Sequence, residues 1–229
     1  MNNFKLNSTV ILICLFSIAS FSQDWANLNK FKKDNTEVMN SKNNSDRVVF
    51  MGNSITEGWI NFRPDFFKDN PYVNRGIGGQ TTPQMLIRFK QDVINLKPKV
   101  VVILAGINDI AGNTGPSTLK MIIDNIASMS EIARANKIKV IICSVLPANH
   151  FPWNPDVKPA EKVIQLNKLL KSYAKKNKLV YADYFSVMVN EANGLKEAWG
   201  YDPVHPNEAG YIIMEPIIQK AIKKSLKTK

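Results

Sequence analysis

Five short runs of apolar residues recur along the chain, and many of their side chains are β-branched. Within each run the apolar positions are mostly consecutive rather than alternating with polar ones. A strand covered on both faces has this pattern, because neither side of its pleat meets water. The pattern predicts five buried strands, at Val48–Met51, Tyr72–Asn74, Val100–Leu104, Val140–Cys143 and Leu179–Tyr181.

Between these runs, hydrophobic residues step by three and four positions, which is the spacing of one helix face. Pro83 suits the start of a helix, whereas Pro216 is expected to kink or split the last helix. The predicted helices are Asp24–Met39, Thr82–Leu96, Leu119–Ala133, Val163–Tyr173 and one that begins near Asn207.

The alternation of strands and helices determines the expected architecture. It predicts an α/β fold, a three-layer α/β/α sandwich in which helices cover both faces of a parallel sheet. In such sheets, ligands bind beyond the carboxyl ends of the strands. The residues that follow each strand are therefore the first place to look for chemistry.

The start of the chain has the pattern of an export signal. Lys5 precedes an apolar run, Val10–Ala19, and small residues precede a cleavage position before Gln23. The division expected is a signal peptide at 1–22, a polar lead-in at 23–45 and one folded domain at 46–229. The protein is then secreted or periplasmic and not inserted in a membrane. An uncleaved membrane anchor is the alternative interpretation of the apolar run.

Composition and charge narrow the function classes. The chain has 229 residues, 45% of them hydrophobic, which suits a single globular domain. The net charge is +11, yet the lysines are spread along helices without interleaved aromatic residues, so no nucleic-acid partner is expected. Cys143 lies in an apolar run and is expected to pack in the core. The histidines and cysteines lack metal-ligand spacing, so no metal or cofactor is expected.

A candidate base and a candidate nucleophile stand at opposite ends of the chain. The chain has 2 histidines, and His205 comes three residues after Asp202, close enough for the carboxylate to orient the imidazole. A surface or capping pair is the alternative. Ser54 directly follows the first strand and precedes a helical turn, which places its hydroxyl at the mouth of the sheet. Its alternative role is that of an ordinary helix cap.

Two further polar segments follow the second and third strands. The glycines at 76, 78 and 79 allow close approach of backbone to a ligand, but they do not form a nucleotide-binding motif, because Thr81 replaces the third glycine. Asn108 ends the third strand, where its amide can reach a developing oxyanion. A turn formed by Asn108 and Asp109 is the alternative.

The order of these four blocks is informative. A serine, a glycine and an asparagine follow successive strands, and Asp-x-x-His precedes the last helix. In this order the chain resembles the SGNH hydrolases, also called the GDSL family, over residues 47–218. The nominal Gly-Asp-Ser-Leu string is altered at Asn53 and Ile55, a variation that occurs within the wider family.

The resemblance implies a serine esterase with a five-stranded sheet in the flavodoxin-like order 2-1-3-4-5. Ser54, His205 and Asp202 correspond to the catalytic triad of the family. Ser54, Gly79 and Asn108 correspond to its oxyanion hole. The reaction is then two-step acyl transfer that needs no metal or cofactor.

The substrate expected is a small acyl ester, with an acetylated carbohydrate as the first choice, because the chain has no long apolar insertion that would cover a lipid. A lysophospholipase or a general short-chain acylhydrolase is the first alternative. A non-catalytic carbohydrate-binding protein on the same fold is the second. The candidate substrate-binding residues are Asn53, Trp59, His150 and Trp153.

Overall fold

The fold centres on a parallel sheet of five strands in the order β2-β1-β3-β4-β5. The structure is a computed structural model that describes residues 24–41 and 46–227, so the predicted signal peptide lies outside the described residues. The predicted parallel sheet and its strand order are confirmed. The strands are β1 (Val48–Gly52), β2 (Tyr72–Gly76), β3 (Val100–Leu104), β4 (Lys139–Cys143) and β5 (Val180–Ala182).

Helices cover both faces of this sheet. The helices are α1 (Lys32–Asn40), α2 (Ser54–Phe62), α3 (Pro64–Lys68), α4 (Thr82–Asp92), α5 (Ile107–Ala111), α6 (Leu119–Ala135), α7 (Ala160–Lys176), α8 (Phe185–Met188) and α9 (Glu208–Lys227). Helices α4, α6 and α7 pack together on one face, while α2 and α9 contact each other on the other face. The predicted three-layer α/β/α sandwich is confirmed.

The core follows from the apolar runs. Every residue of β1 and β3 is buried, as expected for central strands covered on both sides. Helices α6 and α7 bury one stripe each, including Ile122 and Ile126 on α6 and Leu166 and Leu170 on α7. The burial of this apolar surface is the main stabilising contribution to the fold.

Some predicted elements have different bounds in the structure. The predicted helix Thr82–Leu96 ends at Asp92 and is followed by a short 3-10 helix at Ile94–Leu96. Strand β5 begins and ends one residue later than predicted, because Lys178 adopts a left-handed φ of 57° and Ala182 pairs with Cys143. The predicted helix Asp24–Met39 forms only from Lys32 onward. Its first part is a series of turns in which Asn27 has a φ of 54°, a conformation that a helix does not contain.

The last helix is not split at Pro216, which leaves a kink as the remaining form of the prediction. Helix α9 continues through this proline from Glu208 to Lys227. A proline leaves the carbonyl four residues earlier without its helical donor, and here that residue is Ile212, which is 46% exposed. Water can therefore solvate the carbonyl, while the buried Tyr211, Met214 and Ile218 hold the helix on the sheet.

Candidate active site

Ser54 is presented at the carboxyl end of β1 by a sharp change from strand to helix. Strand β1 ends at Gly52, Asn53 caps the next helix, and Ser54 is the first residue of α2. The cap is formed by the Asn53 side chain, whose Oδ1 accepts a hydrogen bond from Ile55 N at 3.1 Å. Ser54 is half-buried at the mouth of the sheet, as the sequence predicted.

A chain of hydrogen bonds joins Ser54 to the segment before α9. Ser54 Oγ lies 2.9 Å from His205 Nε2, and His205 Nδ1 lies 2.7 Å from Asp202 Oδ2. The other carboxylate oxygen of Asp202 accepts from the backbone N–H groups of Val204 and His205, each at 2.7 Å. Asp202 therefore holds the loop and the imidazole together, which favours the tautomer that leaves Nε2 free to accept the serine proton.

The loop after β2 lies against the same site. A Cβ atom added to Gly78 would lie 4.0 Å from Ser54 Cβ, so this loop passes directly beside the serine. Gly79 has a φ of 73°, in the left-handed region that favours glycine. Asn108 reaches the loop from α5, the short helix after β3, and its Nδ2 donates to Gln80 O at 2.9 Å. Ser54, Gly79 and Asn108 thus lie on three neighbouring segments.

Asp109, the neighbour of Asn108, fixes the distance between two of these segments. Its carboxylate accepts from Thr82 N at 3.0 Å and from Thr82 Oγ1 at 2.5 Å. Asp109 is 2% exposed, and burial raises the pKa of its carboxyl above the usual value. Helix α5, which carries both Asn108 and Asp109, thus anchors the start of α4.

Two exposed aromatic rings flank His205. The Tyr201 ring stacks on the imidazole with centroids 5.5 Å apart and an interplanar angle of 9°. The Trp153 ring lies 6.0 Å from the imidazole and is 48% exposed. Trp153 was predicted at the site, whereas Tyr201 was missed. Its position directly before Asp-x-x-His is the signal that could have revealed it.

A cavity with both polar and apolar lining residues borders the triad on the Asp202 side. It has a volume of about 280 Å³ and its lining includes Asn149, His150, Glu197, Tyr201 and Asp202. His150 is exposed, and its Nδ1 lies 2.8 Å from Asn149 Oδ1. The structure thus brings His150 near the site but leaves His205 as the histidine beside Ser54.

Two predicted substrate-binding residues are placed elsewhere. Trp59 is 1% exposed and stacks on Phe66 at 5.2 Å and on Tyr211 at 5.4 Å, so its indole belongs to the core. The core-facing stripe of α2 puts it there, and no substrate can reach it. Asn53 is also 1% exposed, and its side chain is engaged in the helix cap. Both predictions of substrate contact are wrong.

The structure also bears on metal binding, on the role of Cys143 and on membrane insertion. Within 24–41 and 46–227, no cluster of three or more His, Cys, Asp or Glu side chains could hold a metal ion. Cys143 is fully buried, and burial raises the pKa of its thiol to about 12, which fits the predicted packing role. In the same part of the chain, no helix combines the length and the apolar character needed to cross a membrane.

The family follows from comparison with known proteins. The model of the GDSL-like Lipase/Acylhydrolase family matches residues 50–213, which include every segment of the site. The chain belongs to this family. It is therefore an ester hydrolase, and the family resemblance seen in the sequence is confirmed.

Solved structures and a curated relative agree with this GDSL-like assignment. A Bacteroides fragilis protein is 52% identical with a TM-score of 0.87, covering 90% of this chain and 100% of that one. A GDSL-like lipase of Bacteroides thetaiotaomicron is 49% identical with a TM-score of 0.84, covering 87% and 98%. An acetylxylan esterase of Xylanibacter ruminicola is 27% identical over 80% of this chain and 44% of its own length. The match covers between 48% and 73% of the length of the first three curated relatives.

Proposed function

We propose that Ser54, His205 and Asp202 form the catalytic triad of this esterase. The observation that carries the proposal is the continuous hydrogen-bond chain, 2.9 Å from Ser54 Oγ to His205 Nε2 and 2.7 Å from His205 Nδ1 to Asp202. His205 takes the serine proton as Oγ attacks the ester carbonyl. It then gives that proton to the departing alcohol, and water repeats the sequence on the acyl-enzyme.

The oxyanion of the tetrahedral intermediate is held by the backbone N–H groups of Ser54 and Gly79 and by Asn108 Nδ2. The amide of Asn108 has two hydrogens, one of which bonds Gln80 O and so aims the group. Asn108 is only 4% exposed, so a bond from the other hydrogen is weakly screened by water. Such fixed donors stabilise charge that develops in the transition state.

The proposed substrate is an acetyl ester of a carbohydrate. The lining of the cavity beside Asp202 includes amide, imidazole, carboxylate and phenol groups, which suit the hydroxyl groups of a sugar, and apolar groups such as Leu195, which suit its C–H faces. Trp153 presents an exposed ring above the buried Phe151, with centroids 5.2 Å apart, and such a ring can pack on a sugar face. The relative from Xylanibacter ruminicola, an acetylxylan esterase, agrees with this substrate class.

Export of the enzyme belongs to the same proposal. The sequence of residues 1–22 has the pattern of a cleaved signal peptide, and a polymeric carbohydrate outside the cell would need an exported enzyme. We expect secreted or periplasmic protein that begins at Gln23. Amino-terminal sequencing of protein from a cell-envelope or culture fraction measures this directly, and an intact Met1 in that fraction contradicts it.

Two assays test the reaction type and the substrate independently. A fluorophosphonate probe should label the wild-type protein and not Ser54→Ala. Acetylated xylo-oligosaccharides should give a higher kcat/KM than a lysophospholipid, and 4-nitrophenyl acetate should exceed 4-nitrophenyl octanoate. Faster turnover of the lysophospholipid and the octanoate supports the lysophospholipase or general acylhydrolase instead. A wild-type protein that the probe does not label supports the non-catalytic carbohydrate-binding protein.

A further inference from the structure

We propose that Glu57 and Asn113 are positioning residues that orient the oxyanion donor Gly79. This inference rests on the proposed function, because it assigns a role to side chains around the Gly79 N–H. Neither residue is part of the triad or of the three proposed oxyanion donors. Each contacts the backbone of the loop after β2 at an atom next to the donor peptide.

Glu57 restrains the loop on the amino-terminal side of that peptide. Its Oε2 accepts a hydrogen bond from Gly78 N at 2.7 Å. Glu57 lies on α2, one helical turn after Ser54, so its position is tied to that of the proposed nucleophile. The carboxylate therefore links the helix that carries Ser54 to the loop that carries Gly79.

Asn113 restrains the loop on the other side. Its Nδ2 donates to Gly79 O at 3.0 Å, and its backbone N donates to Asn108 O at 3.1 Å. Asn113 therefore joins the segment that carries Asn108 to the same loop. The Gly79 N–H stands between the two restrained atoms, Gly78 N and Gly79 O.

These restraints are needed because the loop consists of residues with little stiffness of their own. Gly78 and Gly79 have no Cβ, and a peptide between two glycines can rotate with little steric cost. A rotated peptide would direct its carbonyl rather than its N–H toward Ser54. Because the restraints come from the segments of Ser54 and Asn108, they keep the three proposed donors in one arrangement, which is the condition for electrostatic preorganisation.

Lys30 completes this arrangement from the lead-in. Its Nζ forms an ion pair with Glu57 Oε1, the carboxylate oxygen that does not bind Gly78. A negative charge beside an oxyanion opposes the reaction, and the ammonium offsets it. The carboxylate can thus serve as a strong acceptor for Gly78 N with a smaller electrostatic cost to the transition state.

The test compares variants at Glu57 and Asn113 with a control on the lead-in helix. Glu57→Ala and Asn113→Ala should each lower kcat by about 10-fold to 100-fold with KM nearly unchanged, because the donor is misplaced but substrate binding is kept. Glu57→Gln keeps an acceptor and should recover most of the activity. Glu37→Ala removes an exposed ion pair with Lys33 at 3.9 Å, and should behave as wild type.

A second readout distinguishes positioning from general destabilisation. An alkylboronic acid, which becomes tetrahedral on the serine, should lose affinity in Glu57→Ala and Asn113→Ala by the same factor as kcat/KM, at unchanged melting temperature. Wild-type kcat in both variants, a loss confined to KM, or a loss that follows the melting temperature overturns the inference. Ser54→Ala and Asn108→Ala test the proposed function separately. If Ser54→Ala is inactive and Asn108→Ala loses kcat as expected, while both positioning variants match Glu37→Ala, only this inference fails.

Discussion

At the scale of single residues, His205 is held by two different kinds of contact. Asp202 fixes the ring edge through Nδ1, while the Tyr201 ring covers one face at 5.5 Å. Tyr201 in turn stacks on Phe62 of α2, with centroids 5.9 Å apart. The orientation of the imidazole therefore depends on a hydrogen bond and on an aromatic stack that begins on the helix of Ser54.

Asn108→Ala tests the proposed oxyanion hole. We expect a loss of about 3 kcal/mol in transition-state stabilisation, seen mainly in kcat, because the oxyanion exists only after attack. Steady-state kinetics on an acetyl ester measure it. Asn136→Ala is the matched control, since that side chain only bonds Ile132 O on an exposed helix end. Equal kinetics for the two variants contradict the assigned role.

Cys143 offers a residue-scale prediction about reactivity. Its thiol is 1% exposed and burial raises the pKa to about 12, so at pH values near 8 it is protonated and out of reach of reagents. A chromogenic disulfide reagent, which releases a coloured thiolate when it reacts with a thiol, should therefore give no colour with the native mature protein. The same protein unfolded in guanidinium should react at Cys143 and give colour. Rapid labelling of the native state would place the thiol at the surface.

At the scale of elements, the active site depends on close packing of α2 against the sheet. A Cβ at Gly76 would lie 2.1 Å from Glu57 N, and one at Gly52 would lie 2.0 Å from Thr56 Oγ1. Glycine ends both strands because α2 occupies the space that a Cβ would need. At Gly76 that space holds helix backbone, and at Gly52 it holds the Thr56 side chain. This approach brings Ser54 and the loop after β2 together.

Gly76→Ala should disturb both stability and catalysis. The added methyl group meets backbone rather than a movable side chain, so we expect a loss of about 3 kcal/mol or more in the free energy of unfolding. Urea unfolding measures the loss. Because α2 carries Ser54 and Glu57, kcat should fall as well at temperatures where the variant stays folded. An unchanged unfolding midpoint would contradict the packing argument.

At the scale of the whole molecule, the lead-in is docked on the domain by buried polar groups. Asn35 is 5% exposed; its Nδ2 donates to Asp92 at 2.7 Å and its Oδ1 accepts from Arg75 at 2.8 Å. Asp92 also pairs with Arg88 at 3.0 Å, and the side chains of both are fully buried. Arg88 donates to Gln80 at 2.6 Å, so the network extends from the lead-in to the loop beside Ser54.

Asn35→Ala tests whether residues 24–41 belong to the same cooperative unit as the domain. The variant removes the acceptor of the buried Arg75 Nε and one of the donors to Asp92 Oδ1, at an expected cost of about 2 kcal/mol in the free energy of unfolding. Chemical denaturation followed by fluorescence and by circular dichroism should give one coincident, shifted transition. A wild-type midpoint, or two separate transitions, indicates an independent lead-in.

Much of this arrangement could be predicted from local sequence. The five strands, the α6 and α7 helices and the roles proposed for Ser54, Asn108 and His205 follow from periodicity and from the position of each residue after a strand. The lead-in turns could not be predicted in this way. Their shape depends on Gln80, Gln84 and Gln91, whose side chains donate to the carbonyls of Ala26, Trp25 and Leu28.

The sequence by itself determined the layers and the order of the chemical groups, because hydrophobic period and strand ends are local properties. It did not determine which aromatic rings face the site. Trp59 and Trp153 look alike in sequence, but the face of α2 buries one and the loop after β4 exposes the other. Contacts between segments distant in sequence, such as Glu57 with Gly78 and Phe62 with Tyr201, were decided only by the tertiary structure. They depend on how closely helices approach the sheet, a distance set by the packing of the whole core.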